Sequence, residues 1–311
     1  MLQQVLMALG AGAASALLFV LPAKQSMFAM ALGIVAPLPL MIAAIGLGER
    51  FGAIAVLVGA LALAAGVDPV AGGTFLVSAG VPALALSFMA RRPGLGDPGN
   101  LVWACAGLAT VLSWLGLAVV ASQYASLDAA VDDLATQLSP VAVSMLEAAK
   151  VDLEGVDVHR FTTWVVLALT PMAAFWSLAG LVANLWLAAR VVDISGLLGR
   201  PWPDLPSTLR LPKPAFAILG LALAACLAPG LARVLAATAV AAMVTAFGLQ
   251  GLARIHLASR GWAARLPMLF GLYAVSIFLF PWPLVLAAGL GLADAAGGLR
   301  SAAADPPPPH A

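Results

Sequence analysis

The chain has 311 residues, of which 63% are hydrophobic and 9% are charged, with a formal net charge of +1 and a mean hydropathy of +1.04. A soluble domain carries roughly 25% charged residues. The composition therefore excludes a soluble globular protein and gives no basis for nucleic-acid binding. It predicts an all-α, polytopic integral membrane protein whose first partner is the lipid bilayer.

An apolar helix needs about 17 to 25 residues to cross the hydrocarbon, and seven windows of suitable length recur along the chain. They are Val5 to Leu21, Ser26 to Leu47, Phe51 to Val67, Ala71 to Ala90, Leu101 to Ser122, Phe161 to Ala189 and Val234 to Ala253. The shorter stretch Ala215 to Ala228 is interpreted as an eighth crossing. The bundle thus has about 8–10 hydrophobic segments within a single transmembrane domain over residues 1–300.

Proline interrupts two of these segments. Pro37 and Pro39 lie near the middle of the second span, and Pro281-Trp282-Pro283 divides Leu266 to Ala296. Helices tolerate such breaks where neighbouring protein or water satisfies the freed carbonyls. The last segment either crosses once or returns as a hairpin, and the sequence leaves both paths open.

Basic residues predict the orientation, since Lys and Arg are enriched on the cytoplasmic side. With the N-terminus inside, ten of them face the cytoplasm and four lie outside. The ten are Arg50, Arg91, Arg92, Arg190, Arg200, Arg210, Lys213, Arg254, Arg260 and Arg265, and the four are Lys24, Lys150, Arg160 and Arg233. We therefore expect a multi-pass protein of the bacterial cytoplasmic membrane with a cytoplasmic N-terminus.

The acidic segment 121–160 is expected on the outer face. Its apolar residues recur at helical spacing, Ser126 and Ser139 suit helix N-caps, and Pro140 suits a first helical position. We expect two short amphipathic helices, either covering the bundle or forming a lid over an outward-opening cavity. An acidic lid would favour cations or polar neutral solutes.

Two further segments lie outside the predicted spans. Residues 190–214 carry five prolines and four basic residues, which predicts a stiff cytoplasmic loop that contacts a partner or anionic lipid headgroups. Residues 301–311 are rich in proline and are predicted to be disordered.

Motifs for hydrolases, nucleotide binding and metal binding are absent from the sequence, which argues against an enzyme and against a cofactor. Cys105 and Cys226 lie in predicted spans and are interpreted as apolar filler.

Polar groups at membrane depth are candidate sites. Asn184, followed by Trp186, and Gln250 are the clearest, and with Pro37 and Pro39 of the helix break they form the candidate solute-binding set. Each amide could instead join two helices through a hydrogen bond.

Two candidate structural features accompany that set. Asp294 has Arg300 and Arg254 as candidate ion-pair partners. Ala8, Gly12 and Ala16 recur at four-residue spacing and form a candidate face for a partner helix.

Three stretches carry a family resemblance. They are APLPLMIAAIGLG at 36–48, NLWLAARVVDISGLLGRPWPDLPSTLRLP at 184–212, and QGLARIH together with LGLADAAGGLR near the end. From Val5 to Arg300 the chain resembles the YybS-like family of predicted bacterial membrane proteins. That family is similar in organisation to the substrate-binding S components of energy-coupling-factor transporters, in which a small-residue face docks the coupling subunit and solute binds toward the outside.

Two functional hypotheses follow. The first is a solute-binding or transport-associated membrane protein without its own ATPase, which would need a membrane coupling subunit. The alternative is a non-transporting scaffold of the cell envelope or division machinery, whose partner would be another envelope protein bound at the proline-rich loop.

Overall fold

A computed structural model describes residues 1–24, 26–151, 155–199 and 201–297. Within these ranges the chain contains helices and no strand. In chain order the α-helices are α1 (Leu2–Val20), α2 (Met27–Ile34), α3 (Pro37–Gly46), α4 (Glu49–Gly66), α5 (Pro69–Phe75), α6 (Val81–Ala90), α7 (Pro98–Ala121), α8 (Leu127–Ala148), α9 (Val158–Ile194), α10 (Leu205–Thr208), α11 (Pro214–Ala225), α12 (Leu231–Ala258), α13 (Arg265–Phe278) and α14 (Trp282–Ala295).

The prediction of an all-α polytopic bundle is confirmed, since seven helical segments are long and apolar enough to span a membrane. They coincide with the seven predicted windows. One boundary was wrong. Helix α9 has 37 residues and runs to Ile194, so the loop expected from Arg190 begins five residues later, at Ser195.

The chain forms two compact units. The first contains Met1–Leu108, Leu178–Ala215 and the residues from Val244 onward, and the second contains Ala109–Ser177 and Phe216–Met243. The long helices α7, α9 and α12 contribute residues to both.

In the first unit, the small-residue face of α1 packs against α4. Ala8, Gly12 and Ala16 are all buried. A Cβ atom added at Gly12 would collide with the carbonyl oxygen of Ala55 on α4. The close approach expected of such a face is therefore made within the chain, and this surface is not open to a partner helix.

The second span is broken where its prolines predicted. Leu38 donates its N–H to the carbonyl of Val35 at 3.0 Å, so the Ile34 carbonyl lacks its usual helical donor. Asn184 of α9 donates to that carbonyl at 2.8 Å. Ser15 Oγ donates to the Ala36 carbonyl at 2.5 Å. Side chains of neighbouring helices thus donate hydrogen bonds to the carbonyls at the break, as is required of backbone groups surrounded by lipid.

The C-terminal segment forms a hairpin, which decides between the two paths. Helix α13 starts just after the end of α12, and α14 returns alongside α12 in the same direction. Leu284 lies against Gly248 near the start of the contact, and Asp294 lies beside Arg254 near its end. Each hairpin helix has 14 residues, about 21 Å at 1.5 Å per residue. This is shorter than the roughly 30 Å hydrocarbon core.

In the second unit, α8 is one helix of 22 residues, so the prediction of two short helices was wrong. Ser126 caps it as expected, since its side chain accepts from the Ala129 N–H. Ser139 is not a cap, because its hydroxyl donates back to the Ala135 carbonyl at 2.8 Å. Pro140 removes only one hydrogen bond, to the Thr136 carbonyl. Thr136 is exposed, so water can replace that donor.

The described residues of the proline-rich loop in the first unit are attached to the bundle at two positions. Its only regular element among the described residues is the single turn α10. Asp204 accepts a hydrogen bond from Arg260 at 2.5 Å. The buried Leu211 donates its N–H to Gln250 Oε1 at 2.9 Å.

Candidate functional site

A cavity lies beneath the N-terminal half of α8 in the second unit. The cavity has a volume of about 460 Å³. Small-molecule sites in proteins typically occupy about 300 to 1,000 Å³ and combine apolar walls with a few polar groups. The cavity therefore has the size of a solute-binding site.

Helix α8 supplies the roof. Leu127, Asp128 and Val131 line the cavity, and a spacing of three to four residues places them on one helical face. The cap formed by Ser126 fixes the start of the helix, and hence the position of the Asp128 carboxyl in its first turn.

Helix α9 supplies one wall through Thr163, Trp164, Leu167, Ala168 and Pro171. These residues also recur on a single face. Pro171 has no N–H, so the Leu167 carbonyl loses its helical donor. Trp164 is 62% exposed and offers a large aromatic surface.

The beginning of α12 and the turn before it supply the opposite wall, through Gly230, Arg233, Val234 and Ala237. Arg233 donates a hydrogen bond from Nε to the Ala228 carbonyl at 3.2 Å. This bond orients the guanidinium and leaves its terminal nitrogens to other acceptors.

Asp128 and Arg233 place opposite charges in this one cavity. Among the described residues neither forms an ion pair within 4.0 Å. A carboxylate and a guanidinium that do not neutralise each other can receive a bound donor and a bound acceptor. The cavity can therefore bind a solute that carries both kinds of polar group around an apolar body.

Polar contacts hold α8 over the start of α9. Asp132 lies 3.1 Å from His159 Nε2, and the hydroxyls of Ser139 and Thr162 are 3.2 Å apart. Tyr124, in the turn before α8, donates to Asp133 of α8 at 3.0 Å, and this hydrogen bond to a carboxylate raises the pKa of the Tyr124 phenol. These contacts are mostly exposed, so each contributes little to stability.

Asn184 lies in the first unit, apart from this cavity, and joins the helix break to α9. Its amide nitrogen donates to the carbonyls of Ile34 and Gly180 at 2.8 and 2.7 Å. Its Oδ1 atom is buried and has no hydrogen-bond partner among the described residues. The structure thus brings Asn184 to the segment of Pro37 and Pro39, where its amide nitrogen has a structural role.

Gln250 is fully buried and joins three elements. Its Oε1 accepts from Leu211 N, and its Nε2 donates to Asp294 Oδ2 at 3.0 Å. Because both ends of the amide contact the protein, Gln250 has a structural role at this position.

The candidate ion pair at Asp294 has one described partner. Arg254 Nε lies 4.0 Å from Asp294 Oδ1, while Arg300 falls outside the described residues. Trp186 lines a second, apolar cavity in the first unit. The five candidate solute-binding residues therefore do not converge on one site.

Asp128, Thr163, Trp164 and Arg233 were not selected from the sequence as site residues. Asp128 belongs to the acidic segment 121–160, and Arg233 is one of the four basic residues expected on the outside. The prediction of a lid over a cavity was the single signal that pointed to this region. About one hundred residues separate Asp128 from Arg233, so no local pattern could link them. No metal-binding cluster occurs among the residues the structure describes.

The helices and their apolar surfaces define a polytopic helical membrane protein. The chain belongs to the family described as "Predicted membrane protein (DUF2232)", whose family model matches residues 13–295. No curated protein and no solved structure matches it.

Proposed function

We propose that this chain is a solute-binding membrane protein associated with transport, and that solute occupies the cavity beneath α8. The observation that carries the proposal is a cavity of ligand size that contains both Asp128 and Arg233 without an ion pair between them. The excess of basic residues on the side expected to face the cytoplasm supports placing this cavity at the outer face of a bacterial cytoplasmic membrane.

Uptake through such a protein requires energy from a partner, because the sequence contains no phosphate-binding loop. The small-residue face of α1 is occupied by α4, so a coupling subunit would contact another surface. The alternative scaffold function depends on the proline-rich loop. Asp204 and Leu211 of this loop are bound to the chain's own helices, which leaves fewer of its polar groups for a partner.

The test is a thermal-shift screen of the purified protein in detergent against amino acids, vitamins and other small polar solutes. Asp128→Asn and Arg233→Gln each remove one charge from the cavity with little change of volume. Glu147→Gln is the matched control, since it removes a charge from the same helix at an exposed position that does not line the cavity.

We expect a solute that raises the melting temperature of the wild type to lose most of that effect in the two cavity variants and to keep it in Glu147→Gln. A charge-assisted hydrogen bond contributes about 1.5 to 3 kcal/mol, which corresponds to roughly 10- to 150-fold in affinity. Equal shifts in all four proteins would place the site elsewhere. A wild type that no solute stabilises would contradict solute binding.

A further inference from the structure

The two charges in the cavity beneath α8 restrict its ligand more narrowly than the cavity's size does. Asp128 and Arg233 are the only charged side chains among the described residues that line it. Every lining residue belongs to the second compact unit. One carboxylate and one guanidinium give the cavity no net charge, so the ligand that matches both is also neutral overall.

A ligand with a single charge is a poor match for this pair of side chains. It would cover both but neutralise only Asp128 or only Arg233, and a charge removed from water without a partner is costly. A ligand with an ammonium group and an acidic group gives each side chain a partner of opposite charge. Charge-assisted hydrogen bonds are roughly twice as strong as neutral ones, so such a ligand is also favoured over an uncharged polar one.

The spacing of the two side chains also fits a bridging zwitterion. Among the described residues Asp128 and Arg233 form no ion pair within 4.0 Å. They nevertheless line one cavity, whose volume of about 460 Å³ corresponds to a sphere roughly 10 Å across. In an α-amino acid the nitrogen and the carboxylate oxygens lie about 3 Å apart. With a charged hydrogen bond of about 2.8 Å at each end, such a molecule bridges about 9 Å.

The rest of the cavity is apolar and lies deeper in the bundle. Asp128 and Arg233 are in the first turns of α8 and α12, whereas Leu167 and Pro171 lie farther along α9. From Trp164 to Pro171 that helix rises about 10 Å. These α9 residues belong to an apolar segment long enough to span a membrane. The matching ligand therefore combines a zwitterionic end with an apolar body.

We propose that the ligand of this cavity is a zwitterion with an apolar body, whose ammonium group binds Asp128 and whose acidic group binds Arg233. This inference rests on the proposed solute-binding function and narrows it to one chemical class. Two sources supply this chemistry. One is a free amino acid with an apolar side chain, and the other is the headgroup of an ethanolamine phospholipid, in which the acidic group is a phosphate.

The first experiment compares ligands that share one apolar body and differ only in charge. L-phenylalanine carries both charged groups, phenethylamine only the ammonium group and hydrocinnamate only the carboxylate. Isothermal titration calorimetry on the purified protein in detergent measures their dissociation constants. We expect L-phenylalanine to bind about tenfold or more tightly than either analogue, which is the lower end of the range for a charge-assisted hydrogen bond. This comparison on the wild type does not depend on the folding of any variant.

Variants that remove one charge assign each group of the ligand to a side chain. In Asp128→Asn the ammonium group no longer contributes, so L-phenylalanine should bind only as tightly as hydrocinnamate. In Arg233→Gln it should bind only as tightly as phenethylamine. Glu147→Gln and Arg160→Gln are the matched controls, since each removes an exposed charge that does not line the cavity. Both controls should keep the wild-type preference.

The second experiment distinguishes a lipid headgroup from a free amino acid. Native mass spectrometry counts the molecules of phosphatidylethanolamine or phosphatidylglycerol that the purified protein retains from mixed micelles. A headgroup ligand predicts selective retention of phosphatidylethanolamine, which is lost in Asp128→Asn and kept in Glu147→Gln. A free amino acid predicts equal retention of the two lipids together with the preference for L-phenylalanine.

The outcomes separate this inference from the proposed function. A preference for the zwitterion in either experiment that is lost in the cavity variants supports the inference. It is overturned if L-phenylalanine binds no more tightly than one of its analogues and the two lipids are retained equally. The proposed function then stands only if another solute from the thermal-shift screen depends on Asp128 or Arg233. If no solute depends on these residues, the proposed function fails as well.

Discussion

Replacing Gln250 with Leu tests whether one buried amide holds the proline-rich loop and the C-terminal hairpin onto α12. The variant removes the acceptor of the Leu211 N–H at 2.9 Å and the donor to Asp294 Oδ2 at 3.0 Å. Gln250 is 0% and Asp294 1% exposed, so water does not replace either bond directly.

Two scales give different magnitudes for this loss. Leaving a buried N–H without an acceptor costs about 1 to 3 kcal/mol, and a hydrogen bond to a charged group contributes about 1.5 to 3 kcal/mol. Side-chain hydrogen bonds between membrane helices average only about 0.6 kcal/mol, because the unfolded chain in lipid finds other partners. Leu211 belongs to a loop that water solvates once it detaches, so the larger scale applies to its N–H. We expect Gln250→Leu to cost about 2 to 4 kcal/mol.

The assay is reversible unfolding in mixed micelles, followed by tryptophan fluorescence as the denaturing detergent increases. A double-mutant cycle with Asp294→Asn separates the contributions. Once the carboxylate is neutral, losing the Gln250 donor no longer removes a hydrogen bond to a charged group. We therefore expect Gln250→Leu to cost at least about 1 kcal/mol less in the presence of Asp294→Asn, within the usual coupling range. A cost of about 0.6 kcal/mol or less in the wild type, or exact additivity, would refute this account.

Two further predictions concern α1 and the proline-rich loop. Gly12→Leu should destabilise the protein by about 1 to 3 kcal/mol or more, because its side chain must displace the Ala55 carbonyl. Gly10→Leu is the control and should be nearly neutral in the same unfolding assay, since no atom lies within 4 Å of a Cβ added there. Equal losses of stability in the two variants would contradict the packing of α1 against α4. The Arg260 guanidinium lowers the pKa of Asp204 in the folded protein. The ion pair therefore stabilises the loop fully above the pKa of Asp204 in the unfolded chain, about 3.9. This stabilisation is lost as the pH falls through the lower pKa of Asp204 in the folded protein. Acid-protease cleavage of the loop should therefore increase below about pH 4 in the wild type, and Asp204→Asn should remove that dependence on pH; a wild-type rate that stays flat below pH 4 would contradict the attachment.

Hydropathy predicted the membrane spans because the transfer of about twenty consecutive residues into lipid depends only on those residues. The break at Pro37 was predictable for the same reason, since a missing N–H is a property of one residue. The side chain that binds the carbonyl freed at this break could not be predicted in the same way. Asn184 lies 150 residues away from Ile34, and the sequence left open whether its amide contacts a solute or another helix.

Helix α8 shows where a local rule failed. Ser139-Pro140 has the pattern of a helix start, yet the helix continues through it. Ser139 bonds to Ala135 and lies 3.2 Å from Thr162 of α9, so tertiary contact outweighs the local preference for a new cap. The cavity beneath this helix likewise depends on three helices meeting, and no pattern within one helix specifies it.

The short hairpin of α13 and α14 sets an order for biogenesis. Translation delivers α12 to the membrane before α14, so Gln250 and Arg254 enter lipid before Asp294 is available as their partner. Neither hairpin helix is long enough to span the hydrocarbon alone, and the carboxylate of Asp294 raises the cost of inserting α14 by itself. The two helices are therefore best inserted together, against an α12 already in place. Gly251 and Gly291 lie where the two backbones meet and leave room for this late docking.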